Sequence, residues 1–231
     1  MCECSQVQGF GEYYAIFGRN MCRLVRKVVS KINYYIGDLH FGCTNKYENR
    51  TLETDKQIIE NWNRVVHQND DVYLLGDVGR FGGNRDNEYL CQCLSVLKGR
   101  KHWILGNHDI AKDARINQLF VEICDYKEIT DNYNGLNHKL VLNHCPIFTW
   151  NGAYKGTIHL YAHVHNNTDG LLYQESLQKL RELCIEENIK GFQIKNPPYA
   201  FNVGAMLDYM DFMPRTLKEI LDANDFGKEN N

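Results

Sequence analysis

The sequence holds no run of about 18 apolar residues, so no membrane-spanning helix is expected. Its start, Met1-Cys2-Glu3-Cys4, carries an acid and leads into no apolar stretch, which argues against a secretory leader. There is little excess charge: 26 Lys and Arg face 29 Asp and Glu, a formal net of −3. No bulk basic signal therefore points to a polyanion partner, and no basic-aromatic stripe marks a processive nucleic-acid enzyme. Internal repeats and low-complexity linkers are also missing. Nine cysteines are present, yet none has the spacing of a zinc-cysteine site. Cys2 and Cys4 lack a nearby Cys-x-x-Cys partner. Cys91 and Cys93 lie two apart in a helical stretch and do not share a face. Free thiols in a reducing compartment are the simplest account, and a cytoplasmic protein is expected. Cys145, beside His144, is then read as packed. The Asn-x-Thr triplets at Asn49 and Asn166 carry no expectation of glycosylation.

What is there is a globular composition: 231 residues, 43% hydrophobic, 12% aromatic and 24% charged. That suits one domain with a real core. Residues 1–30 show no sustained periodicity and read as an extension of uncertain structure, either upstream of a start at Met21 or an added strand or hairpin. From residue 31 to 231 strands and helices alternate. "KINYYIGD", "NDDVYLLGD", "KHWILGNHD", "HKLVLNHCPI" and "GTIHLYAHVHN" read as strands, and "YAFNVGAM" as a late one. "TDKQIIENWNRVVHQ" places Ile58, Ile59, Trp62, Val65 and Val66 on one helical face, with Thr54 and Gln57 as its capping box. "NEYLCQCLSVLKG", "AKDARINQLFVEI", "QESLQKLRELCIEENIKG" and "PRTLKEILDAN" read as further helices, and 131–137 as a loose stretch. Early alternation followed by closely spaced strands predicts an α/β fold with mixed sheets and helices outside.

Five apolar strands end in the same kind of chemistry. The first gives Asp38 and His40, the second Asp77, the third Asn107 and His108, the fourth His144, the fifth His163 and His165. Ligands of open α/β sheets bind outside the carboxyl ends of the strands, so parallel strands would gather all of these in one crevice. Two carboxylates side by side repel unless a cation separates them. Asp, Asn and His supply O and N donors, and they are too many for one tetrahedral zinc. They suit two ions sharing a bridging Asp. His67, His102, His138 and His159 follow no such pattern and read as surface or core residues.

These motifs, in this order over residues 34 to about 210, resemble the calcineurin-like metallophosphoesterase superfamily. The stretch "NVGAMLDYMDFMPRTLKEI" is similar to the tail of its small bacterial and phage phosphoesterases. The resemblance implies a four-layer α/β/β/α sandwich of two mixed sheets flanked by helices, with two divalent ions (Mn, Fe, Zn, Ni or Co). It implies Asp38, His40, Asp77 and His165 around one ion. It implies Asp77, Asn107, His144 and His163 around the other, with His108 free to face substrate. Two departures stand out. Where phosphoprotein phosphatases of the superfamily carry an Asp three residues after the bridging one, this chain has Arg80. That counts against a protein phosphatase and offers a substrate-binding guanidinium, or equally a surface Arg on a Gly-rich loop. Residues 166–198 form a helical insert, expected to cover a sheet face.

The expected activity is hydrolysis of a small phosphodiester, phosphomonoester or nucleotide-type substrate. A hydroxide shared by the metal ions attacks phosphorus, and His108 protonates the leaving oxygen. The alternatives are a nuclease or nucleotide pyrophosphate hydrolase using the same site, or a metal-binding scaffold without catalysis.

Overall fold

The computed structural model describes residues 13–18, 21–26, 31–44, 51–79, 86–165, 167–191, 194 and 196–227. The chain divides into two units, Met1–Lys31 and Ile32–Asn231. In the first, β1 (Tyr13–Gly18) and β2 (Met21–Arg26) form an antiparallel hairpin with Gly18 opposite Met21.

The second unit is α/β, with two mixed sheets flanked by helices. The first sheet has the order β11-β3-β4-β5-β6, from β3 (Asn33–Ile36), β4 (Asp71–Leu75), β5 (Arg100–Ile104), β6 (Phe120–Cys124) and β11 (Arg215–Thr216). β3 to β6 run parallel and β11 is antiparallel to β3. The second sheet has the order β10-β9-β8-β7, from β7 (Lys127–Tyr133), β8 (Leu136–Leu142), β9 (Ile158–Tyr161) and β10 (Tyr199–Asn202). Here β8, β9 and β10 are parallel and β7 pairs antiparallel with β8. The helices are α1 (Leu52–Val65), α2 (Asn87–Ser95), α3 (Ala114–Asn117), α4 (Thr168–Ile189) and α5 (Leu217–Ala223).

Every residue of β4 and β9 is buried, as continuous apolar strands of parallel sheets require. Alternation along the second sheet splits its side chains between two cores. Leu140, Leu142, Ile158 and Leu160 join Tyr35, Ile36, Leu74 and Ile104 in the main core, to which α1 adds Ile58 and Trp62. Val141, Tyr161 and Ala200 face the other way, onto Trp150, Val164 and Leu177 of α4. The helix of the 166–198 stretch thus covers the outer face of the second sheet. One polar tie crosses between the sheets: the Tyr35 hydroxyl donates to Asp131 Oδ2 at 2.7 Å.

Three local expectations give way. α1 is capped by Thr51, not Thr54: the Thr51 hydroxyl accepts from the Thr54 N–H at 3.3 Å, and the Thr51 N–H donates to Thr54 Oγ1 at 3.2 Å. This box starts the helix three residues before the Thr54–Gln57 pair. The helix expected over 111–123 is only the turn Ala114–Asn117, after which Phe120–Cys124 pairs with β5 as a strand. The stretch 131–137 is a hairpin, not a loose loop. Asn134 (φ 51°) and Gly135 (φ 85°) take the two left-handed positions of a tight turn between Tyr133 and Leu136.

Candidate metal centre

All five motif-bearing loops leave the carboxyl ends of parallel strands: β3, β4 and β5 in the first sheet, β8 and β9 in the second. The two sheets are joined at this edge. Gly37 N–H donates to Val203 O at 2.8 Å and Gly37 O accepts from Ala205 N–H at 2.9 Å, continuing the ladder from the β3 loop into the β10 loop. The Asp38, His40, Asp77 and His144 side chains are buried, those of His163 and His165 are half-buried, and Asn107 and His108 are exposed.

Their atoms converge. His40 Nε2 and His165 Nε2 face each other at 3.2 Å. Asp38 Oδ1 lies 3.8 Å from His165 Nε2 and 3.9 Å from His144 Nδ1. His144 Nε2 lies 3.5 Å from Asp77 Oδ2 and 2.9 Å from Asn107 Oδ1. The rings of His144 and His163 meet edge to face at 5.0 Å. Three trios each bring one donor atom per residue within 4.8 Å of the others: Asp38, His40 and His165; Asp38, Asp77 and His144; His144, Cys145 and His163.

The backbone is bent to achieve this. Asp38, His40, Asp77, His163 and His165 all have positive φ, between 46° and 70°. Each such residue costs roughly 1–2 kcal/mol relative to a right-handed conformation, and such strain gathers at functional sites. Two glycines give room for it. A Cβ on Gly106 would stand 2.3 Å from Asp77 Oδ1, and one on Gly76, itself at φ 77°, 2.3 Å from His144 Nδ1.

Burial pushes the Asp38 carboxyl up to about 6, against the pull of the His165 and His144 imidazoles. Burial also opposes ionisation of Asp77, but its hydrogen bond with His144 and the charge there hold it below the usual carboxylate range. His144 is raised: burial lowers it, but Asp77 and Asp38 outweigh that. His163 is lowered, first by burial and then by the neighbouring His144. The donor set fits cations. Only one proton can lie between the facing nitrogens of His40 and His165, and among the described residues the two buried carboxylates stand beside imidazole nitrogens. Hard and borderline ions take such O and N donors.

No family model matches the chain. It is 33% identical over 140 residues to an uncharacterized protein of Methanocaldococcus jannaschii, MJ1445, covering 58% of this chain and 69% of that protein. It is 30% identical over 156 residues to the gene 66 protein of Mycobacterium phage D29, covering 58% of this chain and 78% of that one. The chain belongs to the family of these two proteins. A crystal structure of the Aquifex aeolicus protein of unknown function AQ665 shares the fold, with a TM-score of 0.58 at 24% identity. That match covers 84% of this chain and all of the other.

In this family member three further residues hold the centre from behind. The Asp109 carboxylate accepts from the N–H groups of Asp77 (2.8 Å), Gly106 (2.8 Å) and Val78 (3.0 Å) and from Trp103 Nε1 (3.0 Å). It stitches the β4 loop to the β5 loop. All four of these partners are groups other than the His108 ring. The Asn202 amide donates to His165 O at 3.2 Å while its oxygen accepts from Gly204 N–H at 2.9 Å. It ends β10, beside the loop that carries His165. Asp55, on the inner face of α1, accepts from Gly42 N–H at 2.8 Å and the Tyr89 hydroxyl at 3.1 Å. It anchors the loop that follows His40, and no pattern in the sequence marks it.

His108 anchors its backbone, donating its N–H to Asp77 Oδ1 at 3.0 Å, while its side chain stays exposed. Arg80 lies outside the described residues. Of the four other histidines, His67 is exposed, His138 is half-buried, and His102 and His159 are buried. Among the described residues no helix is long and apolar enough to cross a membrane.

Proposed function

We propose that this protein is a metal-dependent phosphoesterase with the α/β/β/α layering and dinuclear site of the calcineurin-like metallophosphoesterases. One observation carries the reading: seven O and N donors from five strand ends meet on a strained edge, next to one exposed imidazole. Asp38, His40, Asp77 and His165 would hold one ion, and Asp77, Asn107, His144 and His163 the other. When bound, the two ions would supply an activated water and Lewis acidity toward phosphoryl oxygens. The protein's own part is positioning. Asp77, pinned by Asp109 at its backbone, would belong to both donor sets, so its place would govern both. The Asn107 amide fixes the outer side of the His144 ring. His108, exposed and attached through its N–H to Asp77, would face the leaving oxygen and donate its ring proton there. The substrate class is a small phosphodiester or phosphomonoester, with nucleotides included.

The test is turnover of bis-p-nitrophenyl phosphate and p-nitrophenyl phosphate by the full chain supplied with Mn²⁺, alongside metal analysis. Two ions per chain with turnover of either ester is the expected result. Two ions with no turnover across a panel of phosphodiesters and nucleotides would mean a non-catalytic metal scaffold.

A further inference from the structure

We infer that Cys145 is a sulfur ligand at the His144–His163 end of the metal centre and biases that position toward thiophilic ions: zinc, cobalt or ferrous iron over manganese or magnesium. The inference rests on the proposed metal centre and adds to it a residue that the motif pattern does not include.

Several observations meet at this thiol. It offers a donor within 4.8 Å of the ring nitrogens of both His144 and His163. The other cysteines described, Cys43, Cys91, Cys93, Cys124 and Cys184, belong to no such group among the described residues. Its placement is built rather than incidental. The Cys145 N–H donates to Asn143 Oδ1 at 3.1 Å, and His144 O accepts from Ala162 N–H at 2.8 Å, so the backbone is held on both sides of the His144–Cys145 bond. Pro146 follows and restricts Cys145 to extended backbone, which removes another freedom. The thiol is half-buried, within reach of a bound ion yet not packed away in the core.

The chemistry follows from donor softness. The Asp77, Asn107, His144 and His163 donors are all oxygen or nitrogen, and a thiolate beside them adds a further preference for zinc and its neighbours over manganese. On binding a divalent ion the S–H proton leaves to solvent and the sulfur lone pair goes to the metal.

The experiment is electronic absorption of the full chain loaded with Co²⁺. The wild type should show visible ligand-field bands together with a near-ultraviolet thiolate-to-cobalt charge-transfer band. Cys145→Ser should keep the ligand-field bands, which report a folded and occupied site, and lose the charge-transfer band. Cys124→Ser should keep both. In competition, Cys145→Ser should lower the preference for Zn²⁺ over Mn²⁺ by about tenfold or more. Ligand-field bands without charge transfer in the wild type, or charge transfer undiminished in Cys145→Ser, would overturn the sulfur assignment and leave the phosphoesterase reading standing. Failure of the wild type to show ligand-field bands or bind Co²⁺ would sink both.

Discussion

Two groups of imidazoles and carboxylates are built around the first sheet, one within it and one where its carboxyl edge meets that of the second sheet, and they differ in the partners they keep. Within the sheet, His102 on β5 lies between Asp71 of β4 and Glu122 of β6, with its ring nitrogens 2.9 and 2.6 Å from their oxygens. Lys127 reaches Glu122 at 2.8 Å and Arg100 lies 3.6 Å from Asp71, so neighbouring cations offset the second carboxylate. Tyr73 stacks on the His102 ring at 4.6 Å. All three members sit on ordinary extended backbone. At the carboxyl edge the same residue types meet on left-handed backbone, with imidazole nitrogen facing imidazole nitrogen. A buried histidine whose partners complete its hydrogen bonds is structural. A set whose ring nitrogens face one another, with carboxylates between them, is where the proposed cations would fit. Residue type does not separate the two groups; the partners do.

That contrast can be broken at either end. The largest effect is expected from Asp77→Asn, which removes the carboxylate proposed to serve both ions. Metal content should fall to background and turnover with it, and retention of both ions at full activity would show that the edge cluster is no different from the His102 group. Next comes His108→Ala. Its turnover should drop on the order of 10²–10⁴-fold with metal content unchanged, and the loss should be steeper for alkyl than for nitrophenyl leaving groups, since only the former need a proton. A flat dependence on the leaving group would remove the acid role.

At the other cluster, His102→Ala leaves two carboxylates facing each other without their shared partner. It should destabilise the fold by about 3 kcal/mol in urea denaturation, as breaking a buried pair does, while metal content holds. Loss of metal without loss of stability would erase the distinction. The last prediction concerns a third kind of buried imidazole. His159 donates from Nδ1 to Val141 O at 3.1 Å and accepts the Ile147 N–H at Nε2 at 3.2 Å, so it is closed in its neutral form. Burial pushes it down to about 4 from an ordinary 6.5, against its backbone hydrogen bonds with Val141 and Cys145. The unfolded chain therefore takes up the proton first as pH falls. The stability this histidine contributes is fully present above pH 6.5 and is lost as pH drops through about 4, a total of about 3 kcal/mol. Urea denaturation of the wild type and His159→Gln between pH 7 and 4 should differ in slope by that amount; parallel curves would reject it.

Much of the site was readable before any fold was known, because each donor directly follows an apolar run that ends in a parallel sheet. The failures were local. The Phe120–Cys124 strand hides in a sequence whose apolar residues also fit a helix, and only pairing with β5 decides between them. The Asn134-Gly135 turn was visible as a hairpin signal, yet β7 alternates half-buried with exposed residues and gives little apolar contrast to read. Asp55, Asp109 and Asn202 act through backbone groups of residues far along the chain, which no spacing rule encodes.

The sequence by itself determined the strand ends, the residue types at them and their O and N donor chemistry, because those depend on neighbours along the chain. Only the tertiary structure decided which donors meet, that the two sheets join at Gly37 and Gly204, and that Cys145 belongs with His144 and His163. Those facts depend on parallel pairing and on left-handed backbone that packing enforces against local preference, and a chain read residue by residue carries no record of either.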